Sequence, residues 1–391
     1  MIEKIIFKNY KSFKEQQTLV LKPITVLIGK NSSGKSAVAK LPTMIEGSLS
    51  GKITEPVSII NDEIELGAEF RDLIYGREIG SLELSLKEGN KQLHLEVVAG
   101  LKEADVPKIR KWSFNDKVEL SYKYASQNYI DLKNNKIVDV DFNGFNITTG
   151  IEHEFKGQLF NLKTNYIGPF REIPDRNHTF RGSLKSNKIG IKGEHTYQIL
   201  ISDHLHNDGT LLKKVSKWYQ NNFDGWGVAI NAQSKPDYKI ELTRKDPDFS
   251  INIRDVGEGM SQVLPSVVSA FNENNNEMLT ILEQPELHLH PGAHGNLAEL
   301  FANSTKKGNK FLIETHSQNF VLRLRRMVAE KRFCKDDIAL YSVEYNSNTN
   351  TSNLIKIDIN ADGSVAYWPE KVFSETLDET LAIRNAQLKN K

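Results

Sequence analysis

The feature that most constrains the fold of this chain is an octapeptide that begins with one glycine and carries a second at its sixth position. It covers residues 29–36, Gly-Lys-Asn-Ser-Ser-Gly-Lys-Ser, and follows a short apolar stretch, residues 24–28, that is rich in β-branched side chains. The glycines let the backbone curl so that successive N–H groups point into the loop. The pattern predicts a strand, a phosphate-binding loop and then a helix.

The predicted loop also carries the two side chains that a nucleotide site needs. Lys35 supplies a positive charge for the β- and γ-phosphates, and the Ser36 hydroxyl is placed to bind Mg²⁺. The predicted helix starts at about residue 35 and directs its positive end at the same phosphates. We expect the nucleotide to be held by the residues of the loop: Gly29, Lys30, Asn31, Ser32, Ser33, Gly34, Lys35 and Ser36.

Composition narrows the classes of protein that remain. The chain has 391 residues, with 51 lysines and arginines against 50 aspartates and glutamates, so no global field draws it to nucleic acid or to a membrane. Any such binding needs a local patch. The single cysteine, Cys334, excludes an internal disulfide, and no apolar stretch reaches the length of a membrane span. These features predict a cytoplasmic protein with no membrane partner.

Hydrophobic periodicity predicts an α/β organisation with one antiparallel region. Residues 2–8 and 17–28 are typical of strands that lead into the loop, and period-two alternation over 57–141 favours an antiparallel sheet. From 256 to 345, helices and strands alternate in the βαβ rhythm of a covered parallel sheet. The tail predicts a hairpin around residues 360–363 and then a helix. No sustained heptad repeat predicts a long coiled coil.

A second chemistry-bearing segment is an apolar strand that ends in an acidic residue. Residues 278–282 are mostly apolar, and Glu283 follows them. A carboxylate at the end of a buried strand beside a phosphate-binding loop can bind Mg²⁺ directly or through water. We therefore predict Glu283 as a metal ligand together with Ser36.

Two further segments suit phosphate chemistry. His316 comes just after an apolar strand pattern, residues 310–314, and is placed to reach a γ-phosphate or the attacking water. Gly257 and Gly259 open a predicted helix that contains Ser261. Because the N–H groups at a helix start bind phosphate, this helix is suited to the nucleotide of a second protomer.

Together these motifs resemble the ATP-binding-cassette-type heads of the SMC, RecF and overcoming-lysogenization-defect ATPases. The likeness is strongest to small stand-alone bacterial AAA-family ATPases, and it covers nearly the whole chain. Its most specific parts are Leu-His-Leu-His-Pro over 287–291 and Glu-Thr-His-Ser over 314–317, and the tail from 338 to 391 is similar as well. The resemblance implies an α/β P-loop NTPase with an ABC-type head, a mixed sheet core and an antiparallel β subdomain.

The resemblance also implies roles for the candidate residues. It implies two heads that bind face to face with ATP and Mg²⁺ between them, and an ATPase activity. Glu283 matches the Walker B acid and His316 the switch histidine. Gly257, Gly259 and Ser261 match the helix that contacts the partner's γ-phosphate.

This sequence departs from the family pattern at three points. The usual Asp-Glu pair is Glu283-Gln284 here, and an amide cannot accept a proton from water, so we predict slow hydrolysis. Related small ATPases can carry the same Glu-Gln-Pro-Glu, and we interpret it as natural. The signature lacks the Leu-Ser-Gly-Gly-Gln form, which leaves the role of Ser261 open. No glutamine lies between Gln17 and Gln92, so a Q-loop has no obvious position.

The resemblance implies a single ABC-type head over residues 1–391, within which the sequence predicts five regions. They are a P-loop lobe (1–56), a mainly antiparallel β subdomain (57–165), a helical and strand insertion (166–255), a lobe with the signature, Walker B and switch-histidine segments (256–345), and a C-terminal hairpin and helix (346–391).

Three function classes are compatible with these features. The first is a dimeric ATP switch that controls an effector protein, as in bacterial anti-phage defence. The second is a RecF-like DNA-repair ATPase, which the balanced charge disfavours. The third is a nuclease of the overcoming-lysogenization-defect type, for which residues 346–391 are too short to supply the extra domain. The arginine-rich stretch 323–332 is by default a solvated face, with nucleic acid or a partner as the alternative. Residues 168–171, Gly-Pro-Phe-Arg, are a further candidate clamp.

Overall fold

The computed structural model describes residues 1–77, 80–99, 106–151, 155–157, 159–184, 186–245, 248–273, 277–369, 372–373 and 375–389. Within these residues the chain forms two large sheets, several smaller ones and eight α-helices. The helices are α1 (Lys35–Leu49), α2 (Thr196–His206), α3 (Thr210–Asn222), α4 (Glu258–Gln262), α5 (Leu264–Phe271), α6 (Pro291–Thr305), α7 (Gln318–Ala329) and α8 (Glu375–Lys389).

A six-stranded sheet carries the phosphate-loop motifs. Its strands, in spatial order, are β14 (Thr164–Ile167), β19 (Leu279–Glu283), β20 (Lys310–Glu314), β3 (Ile24–Ile28), β21 (Ile338–Asn346) and β22 (Thr351–Ile357). The pairings are parallel except that between β21 and β22. Strands β3, β14 and β19 are buried along their whole length, which is typical of parallel strands covered on both faces. The carboxyl ends of five parallel strands therefore meet at one edge.

The antiparallel region predicted from period-two alternation over 57–141 supplies six strands of an eight-stranded sheet, and the other two strands come from residues before the phosphate loop. Its strands are β1 (Lys4–Lys8), β2 (Gln17–Val20), β6 (Ser81–Glu88), β7 (Lys91–Val98), β8 (Lys108–Phe114), β9 (Val118–Lys123), β10 (Asn128–Asp131) and β11 (Lys136–Val138). They are ordered β11-β10-β9-β8-β7-β6-β1-β2. Burial alternates along β1 and β6, because one face of the sheet packs on the core.

The remaining strands form three small sheets. One contains β15 (His178–Thr179), β16 (Gly227–Ser234), β17 (Asp237–Lys245) and β18 (Asp248–Asn252), and the other two are the pairs β4 (Ile60–Asn61) with β5 (Ile64–Glu65) and β12 (Phe142–Asn143) with β13 (Asn146–Ile147). An antiparallel bridge between Ile359 and Val365 closes the predicted tail hairpin.

The segment 17–28, predicted as continuous strand, is divided between the two large sheets. Strand β2 ends at Val20 and β3 begins at Ile24, so the chain leaves one sheet and enters the other within three residues. Pro23 lies in this break and has no N–H to donate to a ladder. The Lys22 N–H instead donates to the Thr25 hydroxyl, at 3.0 Å. The prediction of one strand was wrong because it followed hydrophobicity across a proline.

Alternate residues of the central strands enter two different hydrophobic clusters. Leu27 packs in the cluster with the antiparallel sheet, whereas Val26 and Ile28 pack in the cluster with helices α2, α3 and α5 to α7. This division follows from the period of two along a strand. Among the described residues the longest helices have 15 residues, so that part of the chain forms no long coiled coil. A helix both long and apolar enough to cross a membrane is also not found in that part.

Candidate nucleotide and metal site

The loop between β3 and α1 adopts a backbone that only its glycines permit. Gly29 has a φ of 143° and Gly34 a φ of 104°, both outside the range of ordinary residues. A Cβ at Gly29 would collide with the Val343 carbonyl oxygen, and one at Gly34 would lie 2.8 Å from the Ser12 hydroxyl. Helix α1 then begins without a side-chain cap. Its first N–H groups are therefore available to phosphate.

Lys35 occupies the inside of this loop. Its buried ammonium donates to the Gly29 carbonyl at 3.1 Å and to the Lys30 carbonyl at 2.7 Å, and it lies 3.9 Å from Glu314. Burial lowers the pKa of Lys35, and the nearby Glu314 carboxylate opposes that shift. Phosphate oxygens are stronger acceptors than neutral carbonyls. The ammonium is thus already in place for the phosphates predicted from the sequence.

Ser36 contacts a carboxylate that the sequence did not assign to the site. Its hydroxyl donates to Glu314 at 2.9 Å, and Glu314 pairs in register with Glu283 on the neighbouring strand. Glu283 itself accepts from the Tyr166 hydroxyl at 2.6 Å. Burial, and then the charge of Glu283, raise the pKa of Glu314 to about 7. Glu314 also ends an apolar strand, which is the same signal that identified Glu283.

The donor set of this edge fits Mg²⁺. Ser36, Glu283 and Glu314 present only oxygen atoms, which Mg²⁺ prefers. Two buried carboxylates side by side repel each other, and a divalent cation would relieve that repulsion. These three residues are the candidate ligands.

The turn after β19 carries Gln284 and Glu286, and these two residues have different hydrogen-bond partners. Gln284 has a left-handed backbone, with φ of 47°, and its N–H donates to the Glu314 carbonyl at 2.8 Å. Glu286 is buried and accepts from the Thr315 hydroxyl at 2.7 Å and from the His316 N–H at 2.9 Å. Burial raises the pKa of Glu286 despite these bonds. Glu286 therefore fixes the segment that carries His316.

His316 lies half-buried at the end of β20, as the sequence predicted. Burial, and then the charge of Lys35, lower the pKa of His316 to about 4. The ring is therefore neutral near pH 7 when no phosphate is present, and a neutral imidazole can both donate and accept a hydrogen bond.

Arg171, in the segment predicted as a clamp, joins two parts of the site. Its buried guanidinium donates to the Gln262 carbonyl at 3.3 Å, the Glu283 carbonyl at 3.1 Å and the Gln284 carbonyl at 3.2 Å. Burial lowers its pKa to about 10. One side chain thus ties the end of α4 to the turn after β19, and no sequence pattern indicates these backbone contacts.

The predicted signature helix, α4, packs on the Leu-His-Leu-His-Pro segment. A Cβ at Gly259 would lie 2.6 Å from the His288 carbonyl oxygen, whereas one at Gly257 would meet no atom within 4 Å. Ser261 is buried, and its hydroxyl donates to Glu258 of its own helix at 3.2 Å. The contact of Gly257, Gly259 and Ser261 with a second protomer's nucleotide remains a prediction.

The arginines after His316 have partners within the chain, which favours the default interpretation of that stretch. The pairs are Arg323 with Glu299, Arg325 with the Gly363 carbonyl, Arg326 with Glu330, and Arg332 with Glu299 and Glu330. A surface whose cations are already paired offers little to a nucleic-acid backbone.

A phosphate loop after one parallel strand, with acidic residues and a histidine at the ends of its neighbours, defines a P-loop ATPase head. Residues 1–192 and 184–321 match the AAA ATPase domain family, and the chain belongs to it. It is 23% identical over 372 residues to an "ATP/GTP phosphatase" of Helicobacter pylori, covering 85% of this chain and 90% of that protein. The chain is an ATPase.

The fold is similar to that of a solved SMC head. An SMC head bound to the C-winged helix domain of ScpA superimposes with a TM-score of 0.51 at 13% identity, covering 92% of this chain and 98% of that one. The SMC head domain from Thermotoga maritima gives a TM-score of 0.43 at 13% identity, covering 92% and 99%. The predicted fold class, an α/β head with a mixed and an antiparallel sheet, is confirmed.

Proposed function

We propose that this ATPase is a slow switch: a head that binds Mg·ATP, pairs with a second copy and controls an effector protein, in bacterial anti-phage defence. It acts in the cytoplasm, in keeping with the exposed, unpaired Cys334. The proposal includes the site residues predicted above and the division of the head at residues 56, 165, 255 and 345.

Slow hydrolysis is supported by the hydrogen bonds of the glutamates near the phosphate loop, because each of them already accepts a hydrogen bond from another residue. Glu283 accepts from Tyr166, Glu314 from Ser36, and Glu286 from Thr315 and the His316 N–H. The residue in the general-base position, Gln284, is an amide. General-base catalysis typically contributes about 10²- to 10⁴-fold in rate. A head that lacks it holds ATP for long periods, which suits a switch.

Different residues bind the phosphates and the metal ion. The loop N–H groups and Lys35 hold the phosphates, and Ser36, Glu283 and Glu314 hold Mg²⁺. When bound, Mg²⁺ neutralises phosphate charge and orients the γ-phosphate. His316, neutral at pH 7, donates to the γ-phosphate or to the attacking water. Arg171 and Glu286 position these groups through the backbone.

Pairing of two heads is supported by the open approach to the start of α4. The space at Gly257 is free of protein atoms, and its φ of −60° is one that any residue can adopt. Gly257→Asp therefore tests the contact with a second nucleotide without a clash inside the chain. Gly259→Asp would not, because its side chain meets the His288 carbonyl.

The decisive experiment mixes two inactive chains. A Lys35→Ala chain lacks a working phosphate loop, and a Gly257→Asp chain lacks a working α4. If heads pair symmetrically, half of the dimers are mixed and each holds one intact composite site, so ATPase activity should return to about a quarter of wild type. Ser126→Asp, at an exposed turn of the antiparallel sheet, is the control and should leave activity unchanged.

Two results would overturn the pairing. One is full activity of a strictly monomeric chain with ATP, and the other is no recovery on mixing although both variants fold. The effector is tested by co-purifying the products of neighbouring genes with the chain in ATP or in ADP. Tight binding of duplex DNA that weakens steeply with salt would instead favour the repair function.

A further inference from the structure

Tyr166 lies at the end of a row of polar side chains that crosses three neighbouring strands of the parallel sheet. Tyr166 pairs with Ile281, so Glu283, two residues further along β19, projects from the same face as Tyr166. Glu314 lies opposite Glu283 on β20 and shares that face. The Ser36 hydroxyl, at the start of α1, donates to Glu314. The row therefore runs from β14 to the phosphate loop.

The Tyr166 hydroxyl engages one particular oxygen of Glu283. It donates to Oε1 at 2.6 Å, and Tyr166 is only 6% exposed, so the bond is stronger than it would be in water. Strand β14 lies on one side of β19, whereas β20 and β3 lie on the other. Oε1 is therefore drawn toward β14, away from Ser36 and Glu314, and Oε2 is the oxygen left for a ligand on the side of the loop.

We propose that Tyr166 is a positioning residue that makes Glu283 a ligand through one oxygen and thereby favours Mg²⁺ over Ca²⁺. The inference rests on the proposed metal site and extends it from the identity of the ligands to the choice of metal. Mg²⁺ demands near-ideal octahedral geometry, which the narrow bite of a bidentate carboxylate does not fit, whereas Ca²⁺ accepts bidentate carboxylates. A glutamate whose other oxygen is already hydrogen-bonded suits Mg²⁺ better.

Removal of the Tyr166 hydroxyl should change the site in a way that depends on the metal. Hydrogen bonds behind a metal ligand fix its orientation, and their loss typically weakens metal affinity by about 10- to 100-fold. Without this bond both oxygens of Glu283 are free to turn toward the loop. The site then loses the orientation that Mg²⁺ needs and gains the bidentate mode that Ca²⁺ accepts. Tyr166→Phe removes the hydroxyl and keeps the ring.

The experiment measures the affinity of the full chain for a labelled, non-hydrolysable ATP analogue by equilibrium binding, in Mg²⁺, in Ca²⁺ and in EDTA. Tyr166→Phe should weaken binding about tenfold in Mg²⁺. The loss in Ca²⁺ should be smaller, and binding in EDTA should not change, because the phosphate loop is intact. The ratio of the affinities in the two metals is a readout that lower stability alone would not move.

Tyr129→Phe is the matched control in the antiparallel sheet. Tyr129 is 8% exposed, and its hydroxyl donates to the Ile109 carbonyl at 2.8 Å. Its replacement by phenylalanine also removes one buried hydrogen bond, but it should leave all three affinities as in wild type. Circular dichroism and urea unfolding of both variants check the fold.

Three results would overturn the inference. They are wild-type affinity in Mg²⁺ for Tyr166→Phe, an equal loss in Mg²⁺ and Ca²⁺, and an equal loss in all three conditions, which would mean that Tyr166 only supports the fold around the loop. Failure of the proposed metal site itself would look different, because wild type would then bind the analogue equally well in Mg²⁺ and in EDTA.

Discussion

The pKa values of two buried glutamates, one in each large sheet, are shifted in opposite directions. Burial alone would raise the pKa of Glu96 in the antiparallel sheet, but hydrogen bonds from Arg110 and Ser81 outweigh burial and lower it. At the edge of the parallel sheet, burial and the charge of Glu283 raise the pKa of Glu314, and Lys35 offsets only part of this. The first carboxylate is neutralised within the chain. The second lacks charge compensation that a bound cation would supply.

The fold itself supplies the counter-charges of Glu96, whereas Glu314 has a full counter-charge only when a ligand is bound. Glu96 has Lys111 as well as Arg110 beside it, with Lys111 at 3.3 Å. Glu314 shares a single ammonium with Glu283, at 3.9 Å from Lys35. Buried charges persist only when they are paired or bind a metal. Substitutions in the two sheets test this contrast.

The largest effect is expected at Gln284, because one more carboxylate at the parallel edge would act as general base. Gln284→Glu should raise ATP turnover by about 10²- to 10⁴-fold. Glu286→Gln should change turnover less than about tenfold, since Glu286 positions His316 through its N–H and Thr315. Steady-state phosphate release measures both. If Gln284→Glu leaves turnover unchanged and Glu286→Gln abolishes it, the general base is Glu286. The slow-switch proposal would then be wrong.

A lysine in each sheet provides the second contrast. Lys35→Ala should weaken Mg·ATP binding by about 10²-fold, because charge-assisted bonds to phosphate are lost. Lys111→Ala removes a cation from Glu96 and should leave ATP affinity as in wild type. Binding of a labelled ATP analogue, with circular dichroism to check the fold, measures both. Unchanged affinity in Lys35→Ala and in Ser36→Ala would contradict the phosphate-loop assignment.

The third prediction concerns stability and pH in the presence of a chelator. The folded-state pKa of Glu314 is above its ordinary value of 4.5, so its protonation favours the fold, and this stability is lost as pH rises through about 7. Relative to Glu314→Gln, wild type should lose about 2 kcal/mol between pH 5 and pH 8. Urea unfolding at both pH values measures this difference.

Glu96→Gln is the matched control for that experiment, and the sign is reversed. The pKa of Glu96 is lowered, so its stabilising contribution is present above its unfolded pKa and is lost as pH falls. The two variants should therefore diverge from wild type at opposite ends of the pH range. If Glu314→Gln and Glu96→Gln change the pH dependence of the unfolding free energy in the same way, the proposed contrast between the sheets is wrong.

The smallest effect is expected when Arg110 is replaced. Arg110→Ala removes one hydrogen-bonded cation from Glu96 but leaves Lys111, so the free energy of unfolding should fall by about 1–2 kcal/mol. ATP turnover should not change. Urea unfolding at pH 7 is the measurement, and a change in turnover would show that the antiparallel sheet is coupled to the site.

The sequence predicted the parts of the site whose chemistry is local. The phosphate loop is contiguous, and Glu283 and His316 each follow an apolar strand pattern, so local patterns predicted that both lie at the ends of strands. Glu314 has the same pattern, but its bond to Ser36 depends on the pairing of β20 with β3 and β19. The order of strands in a sheet cannot be predicted from the pattern of any single segment.

Sequence patterns could not predict the contacts made to backbone atoms either. Arg171 bonds to three carbonyl oxygens, and a carbonyl carries no residue identity that a pattern could reveal. Gly259 was predicted to face phosphate, and its tight approach to His288 appears only in three dimensions.

Strand β3 has a consequence beyond its place in the sheet. Its side chains are shared between two separate cores, with Leu27 in one and Val26 in the other, and every residue of the strand is buried. The position of the phosphate loop is thus a joint property of both cores. A substitution of an aliphatic residue in either core that displaces β3 therefore changes the position of the phosphate loop, although that residue touches no ligand.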